Sequence, residues 1–264
     1  MRRQAGFTLI ELIMAIVLLA IVATVSVQFV SLSTRGALDV GARQQRSLAG
    51  VVVSEQISRQ LREALPTSVR INASGSCVEW MPIRAASYYL NLPDSMSANS
   101  FEVAPLPGGN SVAGRAVVYG YGANIYNPMN PGPISPPAIL SAPAGPDFVA
   151  EVTFAAGATH YFSEKSPEQR FYIVGDPVSI CQNGQFLYRY KNYGIHLSPA
   201  TGLPGSYPGR EVIAASLVTN SLNFDIVPPS FQRGAVVSFA FALEDPQSGE
   251  VTAIHQEVQV RNVP

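Results

Sequence analysis

The sequence predicts an α+β protein: a long N-terminal helix, transmembrane in its first half, packed on a C-terminal antiparallel β-rich globular domain. Three observations carry this. After Leu9-Ile10-Glu11 an almost unbroken apolar run extends from Leu12 to Val30, and no proline occurs before Pro66. From Pro66 onward prolines and glycines punctuate short segments of alternating apolar and polar residues, the pattern of a turn-rich β domain. An Asn183-Gly184 pair stands between two β-prone runs, the strongest short-range signal for a hairpin.

The apolar run is long enough to span a bilayer, since about 20 apolar residues at 1.5 Å each cover a core of about 30 Å. The span is expected at about residues 9–30, within a helix over residues 7–65. Ala49, Val53, Ile57, Leu61 and Leu65 recur every fourth residue, while Glu55, Arg59, Arg62 and Glu63 take other faces. That spacing places one side of the second half against a globular domain. Gly36 and Gly41 are its weak points, each costing about 1 kcal/mol against alanine. Glu11 is the anomaly, because an ionised carboxylate in hydrocarbon costs about 2.5 kcal/mol or more and marks a functional position by default.

Met1-Arg2-Arg3-Gln4-Ala5-Gly6 is a short basic leader ending in glycine, and Phe7-Thr8-Leu9-Ile10-Glu11-Leu12 opens the apolar segment. These residues resemble the signature of type IV prepilins and pseudopilins. The resemblance implies that a prepilin peptidase cuts between Gly6 and Phe7, removing the 1–6 leader, and methylates the new amine of Phe7. It also implies that Glu11 meets the N-terminus of a neighbouring subunit. Physical chemistry supports that role, since a carboxylate and an ammonium from adjacent apolar helices each compensate a charge neither carries alone. Two plainer readings compete. An ordinary signal peptide has an apolar core of about 7–15 residues and is cut after small residues, such as Ala20 or Ala23. A plain membrane anchor gives no reason for Glu11. Orientation does not follow from charge, because Arg2 and Arg3 precede the span while Arg35, Arg43 and Arg46 follow it.

The formal net charge is −1, and lysine is confined to Lys165 and Lys191, so no basic field invites nucleic acid. Cys77 and Cys181 both follow the span. In an oxidising compartment such a pair joins; the other reading is two buried free thiols.

Pro66 stops the helix, and residues 66–264 read as β. Arg70 to Pro82 holds one or two strands with Trp80 as a core anchor, Ser87 to Asn110 is ambiguous, and Val117-Val118-Tyr119 reads as a strand. Residues 127–146 are crowded with proline and predict a long surface loop rather than a central strand. A two-residue Asn183-Gly184 loop pairs Gln182 with Gln185, Cys181 with Phe186 and Ile180 with Leu187. Cys181, Phe186, Tyr188 and Tyr190 then share one face; Val178, Ile180 and Leu187 share the other, so the hairpin is covered on both sides. Phe224 lies on a half-buried strand ended by Pro228-Pro229. Val237, Phe239, Phe241 and Leu243 alternate on the next, which returns through an Asp245–Gly249 turn to Ile254, Val258 and Val260.

No set of residues points to catalysis. His160, His196 and His255 lack metal-ligand spacing and read as surface or strand histidines; Gly120-Tyr121-Gly122 lacks a dinucleotide fingerprint's third glycine and reads as turn chemistry. Glu244, Asp245 and Glu250 do not match a calcium loop and read as a solvated turn. Phe186, Tyr188 and Tyr190 read as core packing rather than a stacking platform. No cofactor and no metal is expected. Gln28 occupies the place where major pilins commonly carry a helix-bending proline, which favours a minor subunit. Within the family the chain's size, domain character and ending most resemble the MshO type of the mannose-sensitive haemagglutinin pilus, then the J-type pseudopilin of type II secretion. The partners this implies are other major and minor pilins, the prepilin peptidase, an inner-membrane platform with its ATPase, and membrane lipid before assembly. The expected location is the inner membrane, single-pass with a periplasmic C-terminal domain, then the pilus or pseudopilus. A membrane-tethered or tip-exposed adhesin using the proline-rich loop is the reading from another class, and an anchored enzyme the remotest.

Overall fold

A computed structural model describes residues 8–122, 124–145, 148–230 and 233–260. The chain divides into two units, residues 1–49 and 50–264. Helix α1 (Leu9–Arg62) begins in the first and ends in the second. In the first unit it runs unbroken through Gly36 and Gly41, and its apolar side chains from Leu9 to Val30 are exposed. It is long and apolar enough to cross a membrane by length and composition.

In the second unit α1 buries Gly50, Val53, Ser54, Ile57, Ser58 and Leu61, one face at the three-to-four spacing of a helix. The helix ends at Arg62, three residues before the expected Leu65. Pro66 drives Leu65 into the extended region (φ −66°, ψ 120°), and the freed segment bonds to the strand region beyond: Leu65 N–H donates to Met81 O at 2.9 Å and Ile83 N–H to Glu63 O at 2.9 Å.

The helix packs on two antiparallel sheets. One has five strands in the order β1-β2-β9-β10-β11, namely β1 (Arg70–Ile71), β2 (Cys77–Trp80), β9 (Val178–Asn183), β10 (Phe186–Tyr190) and β11 (Arg210–Ala214). The other is β12-β13-β14, namely β12 (Asn223–Val227), β13 (Val236–Glu244) and β14 (Val251–Gln259). Gly75 O accepts Phe224 N–H at 2.7 Å between them. Val53, Ile57 and Leu61 of the helix share one core with Trp80, Ile180 and Leu187 of the first sheet and Phe224, Phe239 and Phe241 of the second. Alternation along β13 buries every second residue, as its sequence predicts.

Between β2 and β9 the chain builds a separate β structure. Its strands are β3 (Ile83–Tyr88), β4 (Ser100–Val103), β5 (Val112–Val117), β6 (Ile134–Leu140), β7 (Ala150–Phe154) and β8 (Arg170–Val174), in the order β3-β8-β5-β6-β7-β4. The sheet closes on itself where β3 runs on past Tyr88: Tyr89 bridges Val103, Leu90 N–H donates to Glu102 O at 2.9 Å and Ala104 N–H to Tyr88 O at 2.8 Å. The curled sheet encloses Phe101, Phe154, Phe162 and Phe171 with Val103, Leu140, Val152 and Ile173. The barrel joins the rest through Met81–Pro82 and Gly175, where Gly175 N–H donates to Pro82 O at 2.9 Å.

Strand β6 corrects the expected proline-rich loop at 127–146. It lies between β5 and β7, a central position, and contains Pro136 and Pro137. The prolines are accommodated because β5 bulges opposite them, between Arg115 and Val117. At the bulge Ser135 Oγ accepts Ala116 N–H at 2.9 Å and donates to Pro136 O at 2.7 Å.

A buried polar hub pins the barrel and the 191–203 segment to the first sheet. Glu79, 1% exposed, accepts Arg70 Nη2 at 3.1 Å and Ala200 N–H at 2.8 Å. Arg70 also donates to Leu197 O and His196 O, each at 2.7 Å, and lies 3.4 Å from the Tyr126 ring centre. Burial first, then the Glu79 carboxylate, push the Tyr126 and Tyr193 phenols upward, so both stay protonated. Removing one partner of a buried pair strands the other, so Glu79→Ala is expected to cost about 3 kcal/mol. Arg70→Met combined with Glu79→Leu should cost less than the sum of the two single changes, measured as a double-mutant cycle by chemical denaturation. Strict additivity would remove the coupling.

Candidate assembly site at the helix N-terminus

Unsatisfied N–H groups at a helix start need acceptors, and a threonine three residues before a glutamate supplies them reciprocally. Here Thr8 is the cap. Its N–H and its Oγ1 both reach Glu11 Oε2, at 3.1 and 3.0 Å, and Glu11 N–H donates to Thr8 Oγ1 at 3.3 Å. Leu12 N–H donates to Thr8 O at 3.3 Å. The carboxylate thus sits at the positive end of the helix, with both of its bonds on one oxygen. Sequence reasoning singled out Glu11 and missed Thr8, although the Thr8-x-x-Glu11 spacing before an apolar run carries that signal. Gly6 and Phe7, the expected cleavage and methylation positions, lie outside the described residues.

The other singled-out residues fall elsewhere. Cys77 and Cys181 are opposed in register on β2 and β9 and are joined by a disulfide, S–S 2.08 Å. The hairpin between β9 and β10 differs from its expected register. Asn183 pairs with Phe186, Gln182 with Leu187 and Cys181 with Tyr188, so the loop is Gly184-Gln185. Gly184 (φ +59°) takes the first loop position, as in a type II′ turn, instead of the second. The slip moves both strands by one residue, so each side chain keeps its expected face: Cys181 and Tyr190 pack on one side, Ile180 and Leu187 on the other. The aromatic row, however, is only partly core. Tyr190 is buried, Tyr188 lies half-buried under Arg210 with the guanidinium 4.7 Å from its ring centre, and Phe186 is 43% exposed. It sits at the strand end, beyond the reach of the 191–203 segment that covers the other two.

The histidines do not converge. His255 is exposed on β14 and His196 stacks on Tyr193. His160 is not a surface residue: bridged in antiparallel fashion to Ala98, it is 1% exposed at the barrel's end, edge-on to Phe154 and Phe162, with Nε2 3.0 Å from Gly132 O. Burial pushes its pKa below 6.5. The unfolded chain therefore binds the proton more readily, so stability is full above pH 6.5 and declines as pH falls through the folded value. Melting temperature should drop between pH 7.5 and 5, and less so in His160→Gln; equal drops would remove this account. Among the described residues no His, Cys, Asp and Glu cluster is placed to hold a metal. Asp245 Oδ1 accepts the N–H groups of Gln247 and Ser248, which makes the 245–250 stretch a self-bonded turn.

Residues 1–27 match the family model of the prokaryotic N-terminal methylation motif. No curated protein and no solved structure matches the chain. The motif, followed by a long apolar helix and antiparallel β-sheets, supports a type IV pilin-like or pseudopilin-like protein, a structural rather than enzymatic class.

Proposed function

We propose that the chain is a minor type IV pilin of the MshO type. It is held in the inner membrane with its C-terminal domain in the periplasm, cut between Gly6 and Phe7, methylated at Phe7 and drawn into a filament as a structural subunit. One observation carries this reading: a single acid, Glu11, in the first turn of an exposed apolar helix and within a methylation motif. The capping bonds hold its carboxylate at the helix start and occupy one oxygen. The other is available to the amine of a neighbouring subunit, and that pairing relieves the cost of both charges in an apolar bundle. Helix burial among other pilins supplies the remaining drive. Gly6 and Phe7 are the positions on which the peptidase acts, and the platform and ATPase act on the processed chain.

Fractionation tests the reading. The chain is expected in sheared surface filaments at a small fraction of the main subunit, and its deletion should abolish surface pili while leaving exoprotein release intact. Loss of exoprotein release with normal pili would assign it instead to a type II secretion pseudopilus as a J-type subunit. Loss of attachment alone, with normal pili, would make it an adhesin.

A further inference from the structure

Strand β14 has a long open edge. Among the described residues this strand pairs with β13 alone, over nine residues from Val251↔Glu244 to Gln259↔Val236. In an antiparallel ladder alternate residues bond to the partner strand and the others point their N–H and C=O groups away. Two bonds at the strand's ends set the phase. Val260 N–H donates to Ala235 O at 2.8 Å and Asp245 N–H to Glu250 O at 2.9 Å, so the even-numbered residues face β13. Val251, Ala253, His255, Glu257 and Gln259 therefore present five N–H and five C=O groups to the open side. Among the described residues the one contact to any of these ten groups is a 3.4 Å approach of Gln256 Nε2 to Glu257 O. The strand carries neither proline nor lysine nor a bulge, and Glu257 is its one acid.

The same five residues have exposed side chains, next to a shallow concavity of about 430 Å³ on the outer face of the sheet. Across that face Asp225 lies opposite Ser238, and Ser238 opposite Glu257; Asn223, Ala240 and His255 form the adjacent row. Small residues at the centre leave two carboxylates on the rim. We propose that the β14 edge takes up an extended strand of another polypeptide, one that carries lysine or arginine on the face lying beside Glu257, with Asp225 adding negative charge farther across the same face, and apolar residues on the opposite face. Main-chain bonds give such a strand its hold, and the acidic face selects its side chains. This inference stands apart from the role of Glu11, so each can fail without the other.

The test uses the full chain in detergent micelles, with hydrogen exchange read residue by residue by mass spectrometry. The probe is a synthetic nonapeptide alternating lysine with valine, and its control alternates glutamate with valine. Millimolar lysine peptide is expected to slow exchange at least tenfold at the amides of Val251, Ala253, His255, Glu257 and Gln259, and the glutamate peptide to leave them unchanged. Ala253→Pro removes an outward N–H without breaking the β13 ladder, so it should fold and lose the protection. Glu257→Lys leaves the backbone unaltered and should weaken lysine-peptide binding at least fivefold. Three results would overturn the proposal. The five amides could prove as protected as those of Thr252, Ile254, Gln256 and Val258 in the chain alone. Protection could rise with protein concentration, which means a second copy covers the edge. Or the two peptides could act alike.

Discussion

Glu11→Val is expected to insert into the membrane as the parent chain does and to fall at least about tenfold in the sheared-filament fraction. A tenfold loss corresponds to about 1.4 kcal/mol, well within what an unmatched charge in hydrocarbon costs. The change also removes the Thr8 cap, so a second substitution separates the two effects. Glu11→Gln keeps an oxygen that accepts from Thr8 N–H and Oγ1 but carries no charge. If charge pairing drives incorporation, the glutamine chain should be depleted nearly as strongly as the valine chain. Normal incorporation of the glutamine chain would assign Glu11 to capping alone.

The disulfide carries the second large effect. Cys77 and Cys181 are 104 positions apart, and the loop they close contains the entire barrel. A crosslink of this span restricts the unfolded chain by about 4–5 kcal/mol on the chain-entropy account, an account whose entropic basis is disputed. Cys77→Ala with Cys181→Ala should lower the urea midpoint accordingly. A reductant should shift the parent chain to the same extent and leave the double variant where it is. Coincident curves for the parent and the double variant would show that the junction between the barrel and the first sheet holds without the bond, through Gly175, Pro82 and the Arg70–Glu79 hub.

What could be read from sequence was the regular part. Four-residue spacing from Val53 to Leu61 and two-residue spacing from Val237 to Leu243 each follow one buried face, and the structure buries those faces. The faces of the β9–β10 hairpin were also legible even though its register was not, because a turn displaced along both strands preserves side-chain parity. The barrel was hidden for physical reasons. Its strands are four to seven residues long, and β6 carries two prolines that only the bulge in β5 and the Ser135 hydroxyl make tolerable. The Arg70–Glu79 hub depends on Leu197 and Ala200, more than a hundred positions away in sequence, and no local pattern announces such a pairing. At the candidate assembly site the acid was evident from its cost in an apolar run, while its threonine partner required reading the same four residues as a cap.

The barrel also alters the adhesin reading. Residues 134–140 pair with β5, and residues 138–140 also with β7, so the segment is held within the sheet rather than free to reach a surface. Strand β14 offers the longer exposed backbone.

The most direct measurement is the mass of the N-terminal peptide of the chain recovered from sheared filaments. It should begin at Phe7 and carry one added methyl group on its amine. A peptide retaining Met1 through Gly6 in filaments that assemble normally, or a terminus beyond Ala20, would contradict the account.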